Sequence, residues 1–239
     1  NIKKVLKQNT KMIFIETPTN PTMEITDIAA IAKLAKIEGL TSVVDNTFAT
    51  PYLQKPLEYG IDIVVHSLTK YLNGHSDMVG GIIVTSDTKI IERLRFFQKA
   101  IGGILGPMDS WLTLRGTKTL AVRMKQHGES AMQVARWLTA QRAVKKVYYP
   151  GLSTHPQHKL AKKQMKNFGG MIAFDLGSLS AAKKFLKKVR LCALAESLGG
   201  VETLISHPAS MTHASIPPEQ LKKIVVTDGL VRISVGLED

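Results

Sequence analysis

The sequence predicts an α/β fold, with a mainly parallel sheet in a first unit (residues 1–115) and an α+β unit after it (residues 116–239). Three observations predict it. Short apolar runs alternate with helical patterns through the first half, as βαβ units require. After Gly116 the alternation gives way to one long helical pattern and further strand-like runs. Finally, 239 residues, 44% hydrophobic and 21% charged, are enough chain of globular composition to bury one large core or two modest ones.

The elements follow in order. Met12-Ile13-Phe14-Ile15 is a short apolar strand ending at Glu16. Thr26-Asp27 caps a helix whose apolar residues Ile28, Ile31, Ala32, Ala35 and Ile37 recur at helical spacing, and Gly39 closes it. Thr41-Ser42-Val43-Val44 is a second strand, ending at Asp45; Ile61-Asp62-Ile63-Val64-Val65 is a third and Gly81-Ile82-Ile83-Val84-Thr85 a fourth. Ligands of such sheets bind beyond the carboxyl ends of the strands, where Glu16, Asp45 and His66-Ser67 fall. Residues 117–141 read as one long helix, with Leu120, Met124, Ala131, Val134 and Leu138 among its apolar positions. Strands at 144–148, 171–176 and 230–235 follow, with a helix at 181–189. No internal repeat and no low-complexity segment interrupts this order.

A net charge of +13 suits a nucleic-acid partner only if the cations cluster with interleaved aromatics. Here they come in ones and twos along helical stretches, as in Lys162, Lys163, Lys166 and Lys183, Lys184, Lys187, Lys188, which is how a solvated helix face reads. The field still favours small anionic ligands. No apolar run approaches bilayer length and residues 1–11 are polar and basic, so the sequence predicts no membrane partner, no signal peptide and a cytoplasmic address. The single Cys192 agrees, and between Leu191 and Ala193 it reads as a small buried hydrophobe rather than a nucleophile. His207 and His213 match no compact zinc spacing and lack cysteine partners, so no metal is predicted.

Lys70 follows an apolar strand in Ser67-Leu68-Thr69-Lys70. A lysine there can form an imine with a carbonyl cofactor, and the two hydroxyls before it can donate to a phosphate. Taken alone, the motif is better read as a surface turn. Asp45 alters that balance, because a carboxylate at the preceding strand end can keep a pyridine nitrogen protonated and so make the ring an electron sink.

With these two in place, a family is recognisable. Glu16-Thr17-Pro18-Thr19-Asn20-Pro21, Val44-Asp45-Asn46-Thr47-Phe48, Ser67-Leu68-Thr69-Lys70-Tyr71-Leu72-Asn73-Gly74-His75-Ser76-Asp77 and Glu196-Ser197-Leu198-Gly199-Gly200 resemble the Cys/Met-metabolism family of PLP-dependent enzymes. Ser206-His207-Pro208-Ala209-Ser210-Met211-Thr212-His213 and Val231-Arg232-Ile233-Ser234-Val235-Gly236-Leu237-Glu238 continue the match, in order, across essentially the whole chain. The resemblance implies the aspartate aminotransferase-like fold of PLP-dependent transferases (fold type I), with residues 1–115 the C-terminal part of the large cofactor-binding domain. It implies pyridoxal 5'-phosphate as cofactor. Lys70 would form the Schiff base and move protons, Asp45 would pair with the pyridinium nitrogen, and Ser67 and Thr69 would bind the phosphate. Asn20 would sit near the cofactor's phenolic oxygen and the substrate carboxylate, Arg232 would clamp that carboxylate, and Ser197 would help hold it. Without the resemblance, Arg232 reads as a structural ion-pair partner, Ser197 as a turn and Asn20 as a loop residue.

The activity implied is that of cystathionine γ-synthase, replacing the γ-substituent of an O-acylhomoserine by cysteine, or of the closely similar cystathionine γ-lyase. Methionine γ-lyase and O-acylhomoserine sulfhydrylase are alternatives within the family; Glu196 before Ser197 resembles the cystathionine enzymes better than methionine γ-lyase, which tends to be apolar there. The resemblance further implies a homotetramer built as a dimer of dimers, together with an upstream portion and a final helix that this sequence does not contain. A reading from a different class, a non-catalytic basic binding protein, draws only on the charge and predicts salt-sensitive nucleic-acid binding without a cofactor band.

Overall fold

The computed structural model describes residues 2–211 and 226–239. The alternating half forms a four-stranded sheet in the order β1 (Met12–Glu16), β2 (Thr41–Asp45), β3 (Ile63–Ser67), β4 (Gly81–Val84). The first three strands run parallel, with Glu16 opposite Asp45 and Val43 opposite Ile63, and β4 closes the sheet antiparallel. The third strand starts two residues later than its apolar run suggests. The reason is Asp62, whose carboxylate accepts the Ser42 N–H at 2.8 Å and the Ser42 hydroxyl at 2.6 Å, so the ladder begins only at Ile63.

Helix α1 (Ile28–Glu38) crosses from β1 to β2. Asp27 caps it by accepting the Ala30 N–H, and Gly39 ends it at φ 64°. Its buried residues Ile28, Ile31, Ala32 and Ala35 pack with Ile13, Val44, Ile61 and Val64. Each isoleucine so buried contributes roughly 1.5–3 kcal/mol, which is what holds the helix on the sheet. Beyond β2 lies the single turn α2 (Thr50–Leu53).

Two helices escaped the sequence reading or were merged by it. Helix α3 (Thr88–Ile101) is capped by Asp87, yet none of its residues is buried, so its apolar side reads as surface. The long helix expected at 117–141 is preceded by α4 (Pro107–Thr117) and itself runs as α5 (Leu120–Thr139). The break arises because the Gly116 carbonyl leaves the helical ladder to accept from the Arg123 guanidinium at 2.9 Å.

The remaining elements form a five-stranded sheet in the order β5 (Lys146–Tyr148), β6 (Met171–Asp175), β9 (Leu230–Ser234), β8 (Leu204–Ser206), β7 (Ala193–Leu194). Helices α6 (His158–Gln164) and α7 (Leu179–Leu186) complete the chain order. Strand β9 is central and buried throughout, so Arg232 alternates with Val231 and Ile233 inside the sheet. Ala131, Ala135 and Leu138 of α5 pack on Ile172, Phe174, Val231 and Ile233 to make this sheet's core. A third cluster joins the two sheets: Met124 and Met171 meet Phe48, Leu68, Tyr71 and Leu198 directly beneath the segment that carries Lys70. Cys192 is half-buried against the second core.

Candidate functional site

Three parallel strands end at one edge of the first sheet, placing Glu16 beside Asp45 and bringing Ser67, two residues past Asp45's partner Val65, to the same edge. There the chain winds through one tight turn, Leu68–Leu72, whose backbone leaves helical values at Lys70 (φ −94°, ψ −138°). That departure lets the lysine side chain leave the turn toward the sheet edge instead of following a helix face. Its Nζ lies 3.2 Å from the Ser197 hydroxyl, and an open cavity of about 540 Å³ spreads above it. Asp45, Ser67, Asn20 and Arg232 share the cavity walls with Lys70.

Ser197 reaches the site because its loop is pressed onto the lysine turn. Gly199 has φ 78°, and a Cβ there would lie 2.7 Å from Tyr71 N. Only glycine gives both the left-handed backbone and that approach. The Gly199 N–H donates to the Ser234 hydroxyl at 2.8 Å, and Val201 N–H to Gly74 O at 3.0 Å, tying loop, turn and β9 together.

Arg232 is 2% exposed. Its Nη1 donates to Asn20 Oδ1 at 3.1 Å and its Nη2 to the carbonyls of Glu196 at 2.7 Å and Ser197 at 3.1 Å. All three partners are neutral oxygens. Among the described residues the ion pairs are Lys3–Glu38 and Lys55–Glu58, so the structural ion pair considered for Arg232 is not formed there. Burial pushes its pKa down to about 10, against the opposing pull of Tyr71 and Glu196. Burial, and then Arg232, likewise hold the Lys70 amine below its ordinary range, which favours the neutral, nucleophilic form. Glu16 stands open to the cavity; the surrounding protein and then Asp45 push its carboxyl up to about 7, while its Oε1 accepts the Asn20 N–H at 3.1 Å.

The structure thus brings together Lys70, Asp45, Ser67, Asn20, Ser197 and Arg232, six of the seven residues singled out from the sequence. Thr69 stands apart. Its hydroxyl accepts the Gly80 N–H at 3.0 Å and donates to Gly80 O at a long 3.4 Å. Sequence reasoning gave Thr47 no role, although it lay inside a quoted motif. Its N–H donates to Asp45 Oδ1 at 2.9 Å and its hydroxyl accepts the Ser67 N–H at 2.8 Å, so it fixes the carboxylate and the next strand end at once. His207 bonds Ser210 and the Asp228 carbonyl; Thr212 and His213 lie outside the described residues.

The donor set fits a phosphorylated pyridine aldehyde. An amine of lowered pKa meets the aldehyde, a strand-end carboxylate held by Thr47 suits the ring nitrogen, and the Ser67 hydroxyl is available to the phosphate. The Thr69 hydroxyl can join it by exchanging its long bond to Gly80 O while still accepting from Gly80 N.

Comparison with known proteins adds three findings. The family model described as Cys/Met metabolism PLP-dependent enzyme matches residues 1–239. The chain is 55% identical to cystathionine beta-lyase of Coxiella burnetii over 99% of its length and 54% identical to cystathionine gamma-lyase of Bacillus subtilis over 100% of it. It spans 62% and 63% of the length of those relatives. Among solved structures, cystathionine gamma synthase from Xanthomonas oryzae pv. oryzae in complex with cystathionine superposes with a TM-score of 0.93 at 48% identity, covering 96% of this chain and 59% of that one.

Proposed function

The chain belongs to the Cys/Met-metabolism family of PLP-dependent enzymes, and we propose that it forms most of the active site of an enzyme acting on cystathionine, as a γ-lyase or a γ-synthase. The observation that carries the reading is the meeting on Ser197: its hydroxyl holds the Lys70 amine and its carbonyl holds the buried Arg232 guanidinium. A substrate carboxylate bound by Arg232 therefore has its Cα within reach of the lysine.

When bound, pyridoxal phosphate supplies the electron sink that makes loss of a proton from a substrate carbon feasible. The chain's own residues do the rest. The Lys70 amine would hold the cofactor and would carry protons between substrate carbons and the departing sulfur or oxygen. Asp45 would keep the ring nitrogen protonated, Ser67 and Thr69 would bind the phosphate, and Asn20 would serve the phenolic oxygen while bonding Arg232. Arg232 orients the amino acid by its carboxylate.

The Coxiella relative favours a second reading, cleavage of cystathionine on the other side of its sulfur. The two lyases leave different thiols, cysteine from γ-cleavage and homocysteine from β-cleavage. Purified full-length protein should be incubated with cystathionine, and separately with an O-acylhomoserine plus cysteine, and the products identified. Lys70→Ala should abolish turnover and the cofactor's visible band together; near-normal turnover in that variant would sink the reading.

The same proposal includes a homotetramer, a cytoplasmic address, and a division into units 1–115 and 116–239; the break between α4 and α5 lies a few residues after that boundary, which itself falls inside α4. No described helix is long and apolar enough to cross a membrane.

A further inference from the structure

Arg123 is a second buried guanidinium, 4% exposed, on the face of α5 that meets the lysine turn. Nη1 donates to Tyr71 O at 2.7 Å, and Nη2 donates to Leu72 O at 3.3 Å and to Gly116 O at 2.9 Å; Nε donates to the Thr119 hydroxyl at 3.0 Å. Each partner is a neutral oxygen, and burial holds the guanidinium below its ordinary pKa. Placing a cation there is costly unless its bonds do something the fold needs. Two of those bonds go to the carbonyls immediately after Lys70. The turn is irregular at that point, so these carbonyls fall outside a regular helical ladder. Gly74, at φ 75°, leaves the space the guanidinium occupies: a Cβ there would overlap Nη1.

Arg123 does not line the cavity that Lys70 opens onto. Resting on the assignment of Lys70 as the reactive amine, we propose that Arg123 is a positioning residue for Lys70: it ties the two carbonyls that follow the lysine to the joint between α4 and α5, and so fixes the backbone break that aims the amine at Ser197. Thr69 and Gly80 hold the turn from its leading side, and Gly199 presses on it from above. Arg123 is the hold on its trailing side. A planar fork can serve Tyr71 O, Leu72 O and Gly116 O together, and an ammonium cannot reproduce that geometry.

The test uses full-length wild type, Arg123→Lys, Arg123→Met and the surface control Arg136→Lys on the same helix. In cofactor-free protein, Lys70 is labelled with a small amine-reactive reagent at mildly alkaline pH and its rate read by mass spectrometry against the exposed lysines. In a second arm, uptake of pyridoxal phosphate is followed by absorbance. Arg123→Lys should slow both by about tenfold or more and lower kcat by a similar factor with little change in KM, because the amine is misplaced while the carboxylate clamp is intact. Arg136→Lys should match wild type. A purely structural Arg123 predicts a lower melting temperature with wild-type labelling, uptake and kcat in the folded protein, and that result overturns the proposal. Should Arg123→Met fail to fold, Arg123→Lys decides. A wild type that takes up no pyridoxal phosphate overturns the functional reading instead, and the labelling arm still judges Arg123.

Discussion

Arg232 and Asp45 show how a single side chain can be structural and chemical at once. A guanidinium buried among carbonyls and a carboxamide, with no carboxylate paired to it among the described residues, carries a desolvation cost that the nearby Glu196 offsets only in part and that an incoming carboxylate relieves. Arg232→Lys should leave the cofactor band in place, raise KM, and cost roughly 2–4 kcal/mol in kcat/KM, since an ammonium cannot offer two parallel bonds. Unchanged kinetics with a lower melting temperature would return Arg232 to a structural role. Asp45→Asn separates charge from shape. The amide oxygen can still accept the Thr47 N–H, so the strand end should hold and some cofactor should remain bound. Losing the charge should slow turnover ten- to a hundredfold or more, as one charge-assisted contact is worth about 1.5–3 kcal/mol; a rate within twofold of wild type would contradict the assignment. Asp45 and Ser67 were legible as strand-end residues because their positions follow from local period, whereas Arg232, Ser197 and Asn20 were legible only through the family resemblance. The state of the Thr69 hydroxyl was not, because it depends on Gly80 returning alongside it in the fold.

Among the elements, legibility tracked how much of each signal was local. The helix over Ile28–Glu38 carried both caps and a buried stripe, and the parallel strands showed as short apolar runs such as Met12–Ile15, although Met12 and Phe14 on one side of β1 stay exposed. The two- and three-residue strands β7 and β8 offered no period to read, and the break before α5 is marked by a side-chain bond from Arg123 in the first turn of α5 back to the Gly116 carbonyl, which no apolar period announces. The contact between the Ser197 loop and the lysine turn belongs to this scale too. It exists only because Gly199 lets the two backbones touch, though Gly199-Gly200 could be read only as a turn. Gly199→Ala should cost about 1–2 kcal/mol from the left-handed backbone alone, and the clash with Tyr71 N adds to it. The loop should lift, taking Ser197 from the Lys70 amine, so Lys70 should label at an altered rate and KM and kcat should worsen together. A Gly199→Ala protein with wild-type stability and kinetics would show that the close approach is dispensable.

Across the whole molecule, the two sheets are joined by a cluster that combines apolar side chains with buried titratable ones, and this links folding to pH. His127 is fully buried on α5, its ring 5.1 Å from that of Tyr71 and its Nδ1 2.7 Å from Val235 O; His66 is 5% exposed on β3. Burial pushes both from an ordinary 6.5 down to about 4, and it moves His155 in the same direction. The folded state therefore releases protons that the unfolded chain keeps. Stability from these groups is fully present above about pH 6.5 and is lost as pH falls toward 4. Between those limits the unfolded chain binds about two more protons at His66 and His127, so stability should rise with pH by on the order of 2–3 kcal/mol per unit. Glu16 works the other way, since a raised carboxyl contributes stability at low pH that fades as pH rises toward 7, but its exposure to the cavity screens that opposition. Urea melts of cofactor-free full-length protein at fixed concentration, taken from pH 4.5 to 8, should show a steep climb to about pH 6.5 and a plateau beyond it. Replacing His127 by Gln keeps a donor for Val235 O while removing one titrating group, so it should roughly halve the slope even if it lowers the plateau. A wild-type curve flat between pH 5 and 6 would mean that the histidines titrate normally and that the cluster joining the sheets is open to water.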